Sequence, residues 1–174
     1  MKKRFLTAVM FLMYSIGNAQ QYNGLKDGKW RGILSRADGK EIVINFEVKD
    51  TLQKKTMFIT NASERLVVDD ITIKGDSVIV ILPFFDSRFN LVFNGSDKLT
   101  GEWIKRLADR NTVIPFTATY NENYRFKITS ANTAANITGR WAATFSDSAG
   151  IRSSSNVGVF EQNGNKLTGS FLTV

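Results

Sequence analysis

From residue 28 onward, apolar and polar residues alternate in short runs broken by turn residues, and no window sustains the 3.6-residue period of an amphipathic helix. In 41–49, Ile42, Ile44, Phe46 and Val48 share one face while Asn45, Glu47 and Lys49 take the other, as expected for a strand buried on one side. The same pattern predicts strands over 30–35, 55–61, 64–68, 71–74, 77–82, 88–93, 99–105 and 113–120. Asp38-Gly39, Ala62-Ser63, Gly75-Asp76 and Asn94-Gly95 turn the chain between them, and Pro83 ends the sixth run by removing a donor. The run 77–82 is apolar throughout after its first residue, which predicts a strand covered on both sides or shielded on its outer face. Eight or nine strands in sequence order with short turns predict an all-β antiparallel meander that closes into an up-and-down barrel, with an open sandwich as the alternative. Gly101 beside Trp103 marks tight curvature or a close approach.

The opening of this unit returns. Gly28-Lys29-Trp30 recurs as Gly139-Arg140-Trp141, with Asn45-Phe46-Glu47 answered by Val159-Phe160-Glu161 and 57–60 by 170–173. The expected organisation is therefore a β-barrel-like unit over 28–120, a linker over 121–137 rich in small and polar residues, and the truncated start of a second β unit over 138–174. In that second unit strands are expected at 139–145, 156–162 and 166–174, with Ser153-Ser154-Ser155 in a flexible loop. The Gly-x-Trp start resembles that of lipocalin-type barrels, which implies a tryptophan plugging one barrel end with an arginine stacked on it.

Residues 1–19 change the picture of charge and address. Lys2, Lys3 and Arg4 precede an apolar stretch over 5–16 and a small-residue exit at Gly17-Asn18-Ala19, the pattern of a cleaved secretory signal peptide; a short anchor or buried helix is the other reading. Residues 20–27 form a polar lead-in. Without residues 1–19, Lys+Arg falls to 20 against 16 Asp+Glu, so the balance is +4 in place of +7. The remaining basic residues are dispersed and Lys105-Arg106 with Arg110 reads as a solvated loop, so no nucleic-acid partner is expected, nor any transmembrane segment after signal cleavage.

The chain has no cysteine and no histidine, which removes the usual zinc sites, Ser-His-Asp and Cys-His catalysis and any redox dithiol. No catalytic, cofactor-binding or metal residue is assigned, and no cofactor is expected. Asp69-Asp70 points to opposite faces, Asp86-Ser87-Arg88 reads as a loop ion pair, and the three serines have no base. The candidate lining residues are Trp30, Phe46, Phe89, Phe93 and Trp103, which either fill the core or line a pocket for an apolar ligand.

A set of motifs occurs in order: 45–49, 64–71, 74–78, Leu82-Pro83-Phe84-Phe85-Asp86-Ser87, Leu99-Thr100-Gly101-Glu102-Trp103, Ile114-Pro115-Phe116, Gly139-Arg140-Trp141 and Gly164-Asn165-Lys166-Leu167-Thr168-Gly169. Together they resemble the N-terminal β region of TlpA-like envelope thiol-disulfide oxidoreductases. The resemblance implies export to the periplasm or cell envelope and a thioredoxin-like domain as partner in the parent chain. It also implies client proteins, for which this region serves as spacer or docking platform. The redox Cys-x-x-Cys of that family is absent here, so no catalytic position carries over. The alternative reading is a self-standing lipocalin-like binder of small apolar molecules.

Overall fold

A computed structural model of the chain describes residues 24–128, 133, 135–147 and 149–173; the expected signal peptide lies outside them. They form twelve strands in two sheets: β1 (Gly28–Ser35), β2 (Glu41–Thr51), β3 (Lys54–Asn61), β4 (Glu64–Val68), β5 (Ile71–Lys74), β6 (Ser77–Leu82), β7 (Ser87–Phe93), β8 (Lys98–Arg106), β9 (Asn111–Tyr120), β10 (Gly139–Ser146), β11 (Arg152–Asn163) and β12 (Lys166–Thr173). The first nine make an antiparallel meander in the order β4-β3-β2-β1-β9-β8-β7-β6-β5, and the last three a separate sheet in the order β10-β11-β12.

Pairing of β1 with both β2 and β9 brings the two ends of the meander together and closes most of the sheet into a barrel. Every pairing around it is antiparallel, so following directions both ways from β1 makes β4 and β5 run the same way. The two are halves of one course, broken at Asp69-Asp70, which leaves β3 and joins β6. The barrel is thus nearly closed in eight courses with a break in the fourth, and Ile81 N–H donating to the carbonyl of Asp70 at 2.9 Å carries the β5–β6 ladder up to that break. Asp69 and Asp70 carry the chain across that break in the same direction.

Period-two burial holds around the barrel. Trp30 and Leu34 of β1, Phe46 and Val48 of β2, Val78 and Val80 of β6, and Phe89, Leu91 and Phe93 of β7 point inward and form one cluster with Met57, Val68, Leu99, Phe116 and Ala118. Gly101 is where the wall is tightest: a Cβ there would sit 2.1 Å from the carbonyl oxygen of Asn90.

Two expectations are corrected. The 77–82 run is not shielded outside, since Val78 and Val80 are buried while Ile79 and Ile81 are about two-fifths exposed. Continuous apolarity there reflects β-branched propensity and not two-sided cover. The serines of 153–155 lie within β11, where Ser154 and Ser155 pair with Phe145 and Thr144; the neighbouring β10 edge supplies backbone partners that outweigh the turn preference of serine. In the segment expected as a linker, residues 123–125 contact the outside of the barrel: Arg31 Nε donates to the Tyr124 carbonyl at 3.0 Å with its guanidinium over the Tyr124 ring, Asn45 Nδ2 donates to the Asn123 carbonyl, and Arg125 donates to Asn61 Oδ1.

Candidate functional site

Two places deserve comparison as candidate sites, and both begin with Gly-x-Trp. In the barrel, Trp30 lies flat against Phe46 (ring centroids 6.1 Å apart, planes 4° from parallel) and meets Tyr120 edge-on at 5.2 Å. Its Nε1 donates to the carbonyl of Lys26 at 3.1 Å. Leu25, in the lead-in expected to be merely polar, is 1% exposed and belongs to the core. A cation does lie over this cluster, but it is Lys26 above Tyr120. Tyr120 packs on Gly28, and its hydroxyl donates to the Asp27 carbonyl at 3.1 Å.

The five candidate lining residues are brought together in one interior. Trp30, Phe46, Phe89 and Phe93 are buried, and Trp103 packs against them, with Phe89 tilted on Phe116 at 4.6 Å. The space bounded by Ile44, Phe46, Met57, Ile59, Phe89, Leu91 and Phe116 has no room for a water molecule. Barrels of this strand number are either packed by their own side chains or hold one small ligand, and at this place side chains fill the interior. The roomier space lies outside the core, an open cleft of about 190 Å³ at the barrel end where Leu82, Asp86, Arg88, Arg106 and Asn111 meet. There the expected Asp86–Arg88 pair is not made: Asp86 faces Arg106 at 3.7 Å, while Arg88 donates to Asn90. Arg88 lies in β7 and projects outward with Asn90, whereas Asp86 stands in the turn before the strand with φ of 43° and is aimed at Arg106 instead. Arg106 is on β8, not in a loop.

The second Gly-x-Trp repeats the first in detail. Trp141 Nε1 donates to the carbonyl of Ile137, four residues back, at 2.8 Å. Gly28 and Gly139 both adopt φ of 130°, a conformation that favours glycine. Before each glycine stands a residue whose side-chain oxygen caps the far end of the next strand: Asp27 Oδ2 accepts from Asp50 N–H and Thr138 Oγ1 from Gln162 N–H. Both second hairpins also turn on two residues, 52–53 and 164–165.

The duplication is real, but the residue match read from sequence is shifted. Trp30 faces Phe46 across the ladder, whereas Trp141 faces Gly158 and Phe160 faces Gly139. A bulge at Phe145/Ser146 adds one residue to the first hairpin of the second unit. Aligned on turns and caps, Gly158 stands where Phe46 does and Gly169 where Met57 does. Rings from neighbouring positions fill the vacated space, as a Cβ on Gly169 would meet the Phe160 ring at 2.3 Å and one on Gly158 would meet it at 2.7 Å.

What differs is cover. Trp141, Phe145, Leu167 and Phe171 share one face of the three-stranded sheet and are 43–53% exposed, although Phe171 holds Phe145 at 5.0 Å and Phe160 at 5.6 Å, edge to face. Trp30 is 1% exposed and Trp141 50%. Among the described residues, β10 and β12 pair only with β11. The side chains this face presents are chiefly aromatic and aliphatic, suited to binding by contact.

Electrostatic features are confined to the surface. Lys55 bridges Asp27 at 2.7 Å and Asp50 at 3.4 Å. The Lys55 ammonium holds the Asp27 carboxyl below its ordinary range, and Asp27 in turn raises Lys55. For Glu47, partial burial acts upward, but hydrogen bonds from Arg65 and Lys49 bring it below the usual carboxylate range. Both pairs brace the lead-in and the outer wall. Among the described residues, no three carboxylate, thiol or imidazole groups gather as metal ligands.

Comparison with family models, with curated proteins and with solved structures finds no match to the chain. Sequence reasoning passed over Leu25, Tyr120 and the capping pair Asp27/Thr138. The available signal was the residue type just before each Gly-x-Trp, an oxygen-bearing side chain in both copies.

Proposed function

We propose that this chain is the non-catalytic N-terminal β part of an exported TlpA-like thiol-disulfide oxidoreductase, serving as spacer or client-docking platform for a thioredoxin-like domain of the parent protein. The observation that carries this reading is a filled barrel beside a second sheet built on the same plan and left open on its apolar face. Such a molecule offers an exposed apolar surface for contact with another domain or protein. The ordered motifs supply the redox context, and the lack of cysteine is consistent with a reading in which the redox chemistry lies in a partner domain. The filled interior weighs against a lipocalin-like binder, which needs room inside the barrel for an apolar molecule.

The test is to sequence the transcript beyond codon 174. A reading frame that continues through the rest of a second β unit into a Cys-x-x-Cys domain supports the proposal. A stop codon directly after Val174 overturns it. Export is checked separately by N-terminal sequencing of the mature protein from the envelope fraction, where Gln20 is the expected first residue.

A further inference from the structure

We infer that the barrel end carrying the β6–β7 and β8–β9 turns is a docking site for an anionic phospholipid surface, with Phe84 and Phe85 entering the acyl boundary and Arg88 and Arg106 holding a headgroup phosphate. The inference does not depend on the redox reading. It rests on one end of the first sheet and on no feature of the second.

The two turns are neighbours because Ser87 pairs with Lys105 and Arg106 with Asn111, and Arg106 N–H donates to the Asp86 carbonyl at 2.9 Å. The register Trp30↔Tyr120 and Leu34↔Phe116 puts Asn111 at the end away from Trp30, so the chain enters and leaves the barrel at the opposite end. In the β6–β7 turn, Phe85 and Asp86 hold positive φ, 69° and 43°. That conformation is unfavourable for a bulky side chain and persists only where the surroundings enforce it. Its product is a pair of adjacent rings, 6.4 Å apart, carried on a turn: Phe84 is 42% exposed and Phe85 69%. Behind them on the outer wall, Ile81, Arg88, Ile104 and Val113 stand in one row across β6 to β9. The Arg88 stem thus lies between apolar neighbours while its head is left to reach a polar layer.

Charge selects the occupant. Residues 82–88 and 105–111 hold Arg88, Lys105, Arg106 and Arg110 against Asp86 and Asp109. Asp109 is paired with Arg110 at 3.2 Å, whereas Asp86 stands 3.7 Å from Arg106, beyond hydrogen-bond distance, which leaves the Arg106 side chain its donors. Arg88 donates to Asn90 and makes no ion pair among the described residues. The β1–β2 turn beside them adds no net charge, as Arg36 and Lys40 balance Asp38 and Glu41. The open cleft of about 190 Å³ between Arg88, Arg106 and Asn111 has room for a phosphate group, which guanidinium forks match in shape and charge. Exposed rings ringed by cations bind where apolar insertion and attraction to anionic lipid act together.

The probe is a vesicle of equal parts phosphatidylcholine and phosphatidylglycerol added to the full chain, with pure phosphatidylcholine vesicles as the neutral arm. Hydrogen exchange should show protection of 82–88 and 105–111 on the anionic vesicles only, with the β2–β3 turn at 52–53 unchanged. A chain carrying Phe85→Trp should be quenched by brominated acyl chains in the same vesicles. Titrated by protection at 82–88, affinity should fall about tenfold or more for Arg88→Gln with Arg106→Gln, and about tenfold for Phe84→Ser with Phe85→Ser. All four side chains are exposed, so the barrel is kept, and unchanged exchange of β1 and β2 checks it. Equal protection on neutral vesicles, no quenching of the Phe85→Trp chain, or membrane binding through 2–16 with 82–88 unprotected overturns the inference. So does the same protection by inorganic phosphate without vesicles, which makes the cleft a small-anion site, or burial of 82–88 by self-association before vesicles are added.

Discussion

The barrel and the three-stranded sheet begin with the same local instructions and end in different states of cover. Gly28 and Gly139 share one backbone conformation, and Trp30 and Trp141 share one tether, yet the first indole is sealed by Phe46 and Tyr120 while the second lies half in solvent. Local geometry at a strand start is thus set by a handful of nearby residues, whereas burial comes from strands far along the chain. The stability held by the two tryptophans should differ accordingly.

The largest effect expected is at Trp30. Trp30→Ala removes a fully buried indole and should cost about 3–5 kcal/mol in urea unfolding, whereas Trp141→Ala should cost about 1 kcal/mol or less. Equal losses would break the contrast between the sealed and the open copy. Next come the two glycines. Gly101→Ala forces a methyl onto the Asn90 carbonyl and should cost about 3 kcal/mol, while Gly139→Ala meets only backbone strain and should cost about 1–2 kcal/mol, both measured by thermal unfolding.

A smaller effect of opposite sign is expected at the second hairpin. Leu52 and Gln53 both adopt positive φ, 53° and 66°, and Leu52 is 96% exposed, while the matching turn in the sheet places Gly164 at φ 57°. Replacing Leu52-Gln53 by Asn-Gly should stabilise the barrel by about 0.5–1 kcal/mol, read as a raised unfolding temperature. The smallest effect is electrostatic. Asp27 is held below its ordinary pKa, so its share of stability is present above the carboxylate range, near 3.8, and is lost as pH falls through the folded value. Lys55 is raised, so its share is complete below about 10.5 and is lost as pH rises through its folded value. Because half of the Asp27 side chain is exposed, Asp27→Asn should lower stability at pH 7 by about 0.5 kcal/mol or less and flatten the acid limb of the pH profile.

Much of the barrel was readable because one face of each strand is buried and period two follows directly: the expected bounds of 64–68, 71–74 and 77–82 coincide with β4, β5 and β6. The repeat was readable too, through the spacing and type of three residues. Its register was not: the short-motif match set Phe160 against Phe46, two places from Val48, whose station opposite the first glycine it takes (Gly28↔Val48, Gly139↔Phe160), because apolar residues two apart on one strand face look alike to such a match. The serine-rich start of β11 misled because its strand character is imposed by pairing with β10 and not by its own residues. The sites of contact were harder still. Tyr120 and Trp30 are neighbours only through closure of the sheet, and no local pattern ties the end of β9 to the start of β1. The docking of Asn123, Tyr124 and Arg125 on the outer wall likewise depends on where Arg31, Asn45 and Asn61 come to stand.

The Trp30↔Tyr120 pairing has a mechanical corollary. It sets the entry and the exit of the barrel side by side at one end, as is common for domain termini, so the module hangs from the chain like a bead on a loop and adds little to its reach. Tension applied through the two ends meets the β1–β9 ladder one rung at a time, beginning at the indole, and the bead yields as a zipper does, at low force.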